Sequence, residues 1–240
     1  MDRRNFIRNT MLASAGLLLT GSELFGNVIR YRVKRGDTLS ELAVKHRTSV
    51  KTIKRLNRLN NDRILIGQYL IIPAPLSYKY IEHVVRETNQ LHIEPRRWQY
   101  IITHHSAIDN GNAEAYHNYH LNEIGMENGL AYHFVIGNGI DSGDGQVETG
   151  NRWKAQLDGG HVHTEKYNKI GIGICLVGNL EKHKPTRKQI EALHELIAFL
   201  RGAIKTDAIR YAVHREIDGI QHTVCPGKYF PIKDYHRRWG

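Results

Sequence analysis

Tyr100-Ile101-Ile102-Thr103-His104-His105 is the stretch on which the reading of this chain turns. Aromatic and β-branched residues lead into two histidines, which predicts a strand that ends in side chains able to hold a metal. Side chains alternate across a strand, so His104 shares a face with Ile102 and Tyr100 while His105 points the other way. Only one of the pair reaches a shared centre, and alternation alone does not choose which. Working outward, similar runs predict strands over residues 131–136, 146–148, 172–177 and 208–213. Helices are predicted over 112–124 and 186–200. The second follows Pro185 and carries Ile190, Leu193, Leu196, Ile197 and Leu200 on one face, with His194 inside that stripe as a structural residue. Strands interleaved with helices give residues 95–240 an α/β fold class.

This region holds 12 of the 15 histidines. A catalytic zinc site takes three protein ligands from His, Cys, Asp or Glu and keeps one position open. The candidates sit at strand ends: one of His104 and His105, then His214, then Cys225 in Thr223-Val224-Cys225-Pro226-Gly227. From His104, the separations of 110 and 11 residues match no local zinc spacing, so the residues alone leave a metal centre and structural histidines both open. With two cysteines in the chain, Cys225 has an alternative in a bridge to Cys175 if the protein is exported. Cys175 lies inside the apolar run 172–177, however, and reads as core.

Residues 28–74 read as a separate strand–helix–helix–strand module. Tyr31 and Val33 alternate with basic residues, Gly36-Asp37 makes a turn, and Thr38 with Glu41 has capping-box spacing. Leu39, Leu42 and Ala43 form one helical face. A second helix begins near Ser49, and a strand returns over 64–73 with Gly67 at a bend and Pro73 as its stop. Residues 29–73 carry 11 basic and 3 acidic side chains, most of the net charge of +10. Such a patch draws polyanions, whether nucleic acid or an anionic wall or lipid surface. The interleaving of aromatic and basic residues used to bind single-stranded nucleic acid is missing. Residues 75–94 read as a linker, with a short helix as one option for 81–91.

A composition of 40% hydrophobic and 24% charged residues excludes a disordered or fibrous chain. No uncharged apolar run reaches the ~18–20 residues of a membrane span. The longest candidate, Met11 to Thr20, follows the basic head Arg3-Arg4-Asn5-Phe6-Ile7-Arg8, which is the build of an export signal over residues 1–27. The paired arginines with Phe6 and Ile7 resemble a twin-arginine signal, which implies an exported protein of the periplasm or cell envelope.

Two further resemblances carry the functional expectations. Tyr31, Val33, Gly36-Asp37-Thr38-Leu39, Ala43, Asn57, Gly67, Leu70 and Ile72-Pro73 resemble a LysM module. That implies binding of N-acetylglucosamine-containing glycans through Gly36, Asp37, Thr38 and Leu39 in one loop and Ile64 and Leu65 in another. Ile102-Thr103-His104-His105-Ser106-Ala107, Ala131-Tyr132-His133-Phe134-Val135-Ile136, Tyr167-Asn168, the run 170–178, His214-Arg215-Glu216 and Cys225-Pro226-Gly227 occur in an order that resembles zinc-dependent N-acetylmuramoyl-L-alanine amidases, related to phage amidases and animal peptidoglycan-recognition proteins.

The second resemblance implies a central mixed β-sheet flanked by helices. It implies Zn2+ held by His104, His214 and Cys225, His104 being chosen because the family's ligand lies two positions before Ser-Ala. It assigns Tyr132, His163 and Thr223 to the catalytic site, and peptidoglycan rather than nucleic acid as the partner. A related branch carries glutamate where this chain has Cys175, so a glutamate base at that position is not expected. His133 is expected to be structural, and His105, His117, His120, His161 and His222 to be surface or supporting groups, one of them able to orient a ligand histidine through its second nitrogen. The reaction implied is hydrolysis of the amide between N-acetylmuramic acid and L-alanine by a zinc-activated water. The alternative is a peptidoglycan binder that does not cut, and a glycosidase would need a pair of carboxylates that the sequence does not display.

Overall fold

The computed structural model describes residues 28–46, 48–73, 78–204, 206 and 208–240. The export signal read over 1–27 lies outside the described residues. The chain divides into two compact units, residues 1–76 and 77–240.

In the small unit, β1 (Val28–Arg32) and β2 (Tyr69–Pro73) pair antiparallel, and α1 (Leu39–Lys45) and α2 (Val50–Asn57) pack against them. Thr38 and Glu41 form the expected capping box, and Ser49 caps α2. Val33, Leu39, Leu42, Ala43, Ile53, Leu70 and Ile72 make the core. Of the returning stretch 64–73, only the last five residues are strand; the turn before it is closed by the Gln68 amide donating to Leu65 O at 2.9 Å. Asn57 joins helix to strand: its side chain donates to Ile53 O and Ile71 O at 2.8 and 2.7 Å and accepts from the Ile71 amide at 2.6 Å.

The large unit contains α3 (Glu82–Thr88), β3 (Tyr100–His105), α4 (Ala113–Asn122), β4 (Phe134–Ile136), β5 (Val147–Thr149), α5 (Asn151–Lys154), α6 (Glu165–Ile170), β6 (Gly171–Leu176), α7 (Arg187–Ala203), β7 (Arg210–Val213), α8 (His214–Asp218) and α9 (Ile232–Trp239). Its sheet has the order β5-β4-β6-β3-β7, with every pair parallel except β4–β5, so it is a mixed sheet flanked by helices. Alternation sorts β6 sharply. Ile172, Ile174 and Leu176 enter the main core with the α7 stripe of Ala192, Leu193, Leu196, Ile197 and Leu200. Gly171, Gly173 and Cys175 face the other way, where Cys175 packs with Tyr116 of α4, Leu130, Val135 and Val177.

Part of the stretch read as a linker is folded. Ile81, the residue that precedes α3, and Val84 and Val85 within it are buried in the main core. Residues 131–133, expected as strand, lie outside β4: Ala131 O accepts from Gly160 and His133 O from Gly150, and a single bond, from the His133 amide to Gly173 O at 2.9 Å, joins this backbone to β6. His194 accepts from the Trp239 indole at 2.9 Å and ties α9 to α7, a structural role.

Replacing Asn57 with alanine is expected to destabilise the small unit by about 1–2 kcal/mol, since it removes three hydrogen bonds across the helix–strand seam. Hydrogen exchange at the β2 amides should accelerate while the β3–β7 amides stay unchanged. Unaltered exchange in β2 would contradict the role given to this side chain.

Candidate metal centre

Parallel pairing of β3 and β7 sets Thr103 opposite Val213. The next residue on each chain is therefore a histidine, and His104 and His214 leave the carboxyl ends of neighbouring strands with ring centroids 4.6 Å apart. That end of a parallel sheet is where α/β folds place ligands. Cys225 arrives on the loop after α8. Its carbonyl accepts from the Arg215 amide at 3.0 Å, and its Sγ lies 3.7 Å from His104 Nδ1 and accepts from the His105 amide at 3.4 Å. The donor atoms of His104, His214 and Cys225 all lie within 4.8 Å of one another. His105 points away, as alternation requires, and its Nδ1 accepts from the Leu180 amide at 3.0 Å.

Hydrogen bonds fix the tautomers of both imidazoles. Gly171 O can only accept, so His161 Nε2, 3.2 Å away, carries a proton. His161 Nδ1 is then a bare lone pair, which accepts from His104 Nε2 at 3.1 Å. His104 Nδ1 is left unprotonated toward Cys225. On the other side, Asp218 accepts from His214 Nε2 at 2.8 Å and leaves His214 Nδ1 free in the same way. Burial pushes the imidazoles of His104 and His214 below the usual histidine range and that of His161 down to about 4, so all three are neutral at neutral pH. Burial drives the Cys225 thiol up to about 12; a nearby divalent cation is the charge that would favour its thiolate. Two neutral imidazole nitrogens and one sulfur make a mixed donor set that suits zinc, and three ligands leave a coordination position for another group. The residues fit the ion.

The other expected site residues separate. The Tyr132 ring lies 5.3 Å from that of His104, with its hydroxyl beside the Cys175 thiol. Burial, then the two cysteines, raise its pKa, so the phenol stays protonated and able to donate. The segment before it is held by His117 and His120, which accept from the Leu130 and Ala131 amides, and by Arg152, whose Nε donates to Leu130 O at 2.6 Å. Thr223 Oγ1 accepts from the Cys225 amide at 3.1 Å and shapes the Cys225 loop. His163 is exposed, and its ring lies parallel to His222 at 6.4 Å.

The imidazole hydrogen-bonded to His104 is that of His161, two residues earlier. The site face of β6 explains how it fits: a Cβ at Gly173 would fall on the His161 ring. Asp218, which sequence reasoning passed over, stands four residues after His214, one helical turn along α8. His133 is structural: Nδ1 accepts from the Gly173 amide at 3.0 Å and the ring meets Trp98 edge-on. In the small unit, Asp37 is bonded to the Tyr31 hydroxyl and the Lys34 amide, and Leu39 is core. Ile64 is half-buried, and Leu65, 60% exposed, helps Asn61, Arg63 and Gln68 line an open cavity of about 470 Å³.

Residues 94–228 match the Amidase_2 family of N-acetylmuramoyl-L-alanine amidases. The chain belongs to this family. Residues 31–73 match the LysM domain, so this Amidase_2 protein joins the two modules in one chain. Peptidoglycan-recognition protein SA of Drosophila melanogaster is 33% identical over 116 residues, covering 45% of this chain and 52% of that protein. Peptidoglycan-recognition protein 3 of Holotrichia diomphalia is 34% identical over 114 residues, covering 47% and 54%. The chain thus spans about half the length of each. The solved endolysin N-acetylmuramoyl-L-alanine amidase LysCS of Clostridium intestinale shares the fold, with a TM-score of 0.50 at 23% identity over 59% of this chain and 83% of that one.

Both cysteines of this Amidase_2 chain are free, buried thiols. A chromogenic disulfide reagent should leave the native metal-free protein almost untouched and titrate two thiols once the chain is unfolded without reductant. No titratable thiol after unfolding would mean that Cys175 and Cys225 are bridged and that the ligand set is wrong.

Proposed function

We propose that this protein is a peptidoglycan hydrolase that cuts the amide between N-acetylmuramic acid and L-alanine of the stem peptide, with zinc held by His104, His214 and Cys225 and with the LysM module gripping the glycan. The convergence of those three donor atoms within 4.8 Å carries the reading, since a binder that does not cut has no need of a complete ligand set. Bound there, zinc supplies Lewis acidity that polarises a carbonyl and acidifies water.

The chain's own groups do the rest. His161 and Asp218 hold His104 and His214 with their unprotonated Nδ1 atoms toward the ion. Tyr132, kept protonated by burial, donates to the oxyanion that forms when the amide carbonyl is attacked. The exposed imidazole of His163 is assigned proton transfer to the leaving amine, and Thr223 the support of the Cys225 loop. The small module concentrates the enzyme on insoluble wall by adding a second point of attachment. Its excess of basic side chains favours an anionic wall, and the protein acts in the cell envelope after export.

Incubation with purified peptidoglycan should release stem peptides that carry a free L-alanine amino group, with no new reducing sugar ends. A chelator should abolish release, and added zinc should restore it. Tight binding without release would instead establish a recognition protein, and new reducing ends a glycosidase. Tyr132→Phe is expected to lower kcat by about 10²–10³ with KM little changed, the loss typical of one oxyanion donor. A kcat within a factor of about three of the parent would remove Tyr132 from that role.

A further inference from the structure

Asp218 makes more contacts than orienting one histidine requires. Its carboxylate, 2% exposed, accepts four hydrogen bonds. Oδ2 takes His214 Nε2 at 2.8 Å and the His163 amide at 2.7 Å. Oδ1 takes the Thr164 amide at 3.0 Å and the Thr164 hydroxyl at 2.7 Å. Two carboxylate oxygens offer about four lone-pair sites, so this group is saturated. Burial alone would raise its pKa, but the bonds from Thr164, His163 and His214 outweigh that and hold it at about 2.

The segment it grips begins, two residues upstream of His163, with His161, whose ring sets the tautomer of His104. One short stretch, residues 161–164, therefore reaches both ligand imidazoles: His104 directly, and His214 through Asp218. The Asn168 side chain closes the base of this stretch by accepting from the His161 amide at 2.9 Å and donating to Val162 O at 2.9 Å.

We propose that Asp218 is a positioning residue that joins the ligand His214 to the 163–164 backbone, so that zinc binding and the ordering of this segment are a single coupled event. The inference rests on the zinc reading above. A carboxylate behind a ligand histidine fixes its tautomer and raises its basicity, and loss of such a partner typically weakens metal binding about 10–100-fold. Coupling is reciprocal: if the ordered segment favours zinc, zinc must favour the ordered segment. A clamp that served the fold alone would lower global stability without changing the zinc affinity of the folded protein.

The test uses the full chain, zinc alone as ligand, competition with a chromophoric chelator for affinity, and hydrogen exchange at the His163 and Thr164 amides. In the parent protein, zinc should slow exchange at both amides. Asp218→Ala should weaken zinc binding about 10–100-fold and abolish that slowing. Asp218→Asn should turn its oxygen toward His214 and His163 and its amide nitrogen toward Thr164. It should therefore keep zinc affinity within about tenfold of the parent, retain protection at His163 and lose it at Thr164.

The proposal is overturned if folded Asp218→Ala binds zinc as tightly as the parent. It is equally overturned if zinc leaves exchange at both amides of the parent unchanged, a result that needs no variant. A parent protein that takes up no zinc overturns the functional reading as well, which separates the two failures.

Discussion

Parallel pairing of β3 with β7 is the constraint on which this protein depends. Residues 103 and 213 are far apart along the chain, yet the register sets them side by side, and the strands end together on two histidines. A slip of one residue would turn one imidazole to the opposite face of the sheet, where the α7 core lies. The register is itself held by the apolar alternation of β3 and β6: Ile101, Ile172 and Ile174 are buried on one face, which leaves His104 with the small residues on the other.

Grouping three buried or half-buried imidazoles has an electrostatic consequence. Burial disfavours the charged form of each, so His104, His161 and His214 stay neutral where surface histidines would begin to protonate. Neutral imidazole needs a defined tautomer to serve as a ligand, and two acceptor-only groups define it: a main-chain carbonyl at Gly171 and the carboxylate of Asp218. The small side chains of β6 are part of the same device. Gly173 leaves the space that the His161 ring occupies, so a residue with no side chain decides where the second imidazole stands.

Much of this was legible in the sequence because it follows local rules. The strand ending in His104-His105, the alternation that separates the two, the capping box at Thr38, the α7 stripe and the structural place of His194 all obey spacing over a few residues. The residues already offered His214 and Cys225 as candidates; the family resemblance chose His104 over His105 and joined the three into one set, whose donor atoms the structure brings together. What stayed hidden depends on tertiary placement. His161 and His163 both stand near Tyr167-Asn168 in the sequence, and only the path of the loop across β6 shows that the first is buried against His104 and the second exposed. Asp218 reads as an ordinary acidic residue until α8 carries it one turn past His214. The backbone of 131–133 looks like strand by composition but finds mixed partners: the His120 side chain, Gly160, Gly150 and one bond to Gly173 of β6.

The central claim is that two nitrogens and one sulfur of this chain hold a single zinc ion. X-ray absorption at the zinc edge of the loaded protein addresses it directly. The account predicts one zinc per chain with two imidazole nitrogens at about 2.0–2.1 Å and one sulfur at about 2.3 Å. A shell made only of nitrogen and oxygen, with no sulfur, would contradict it.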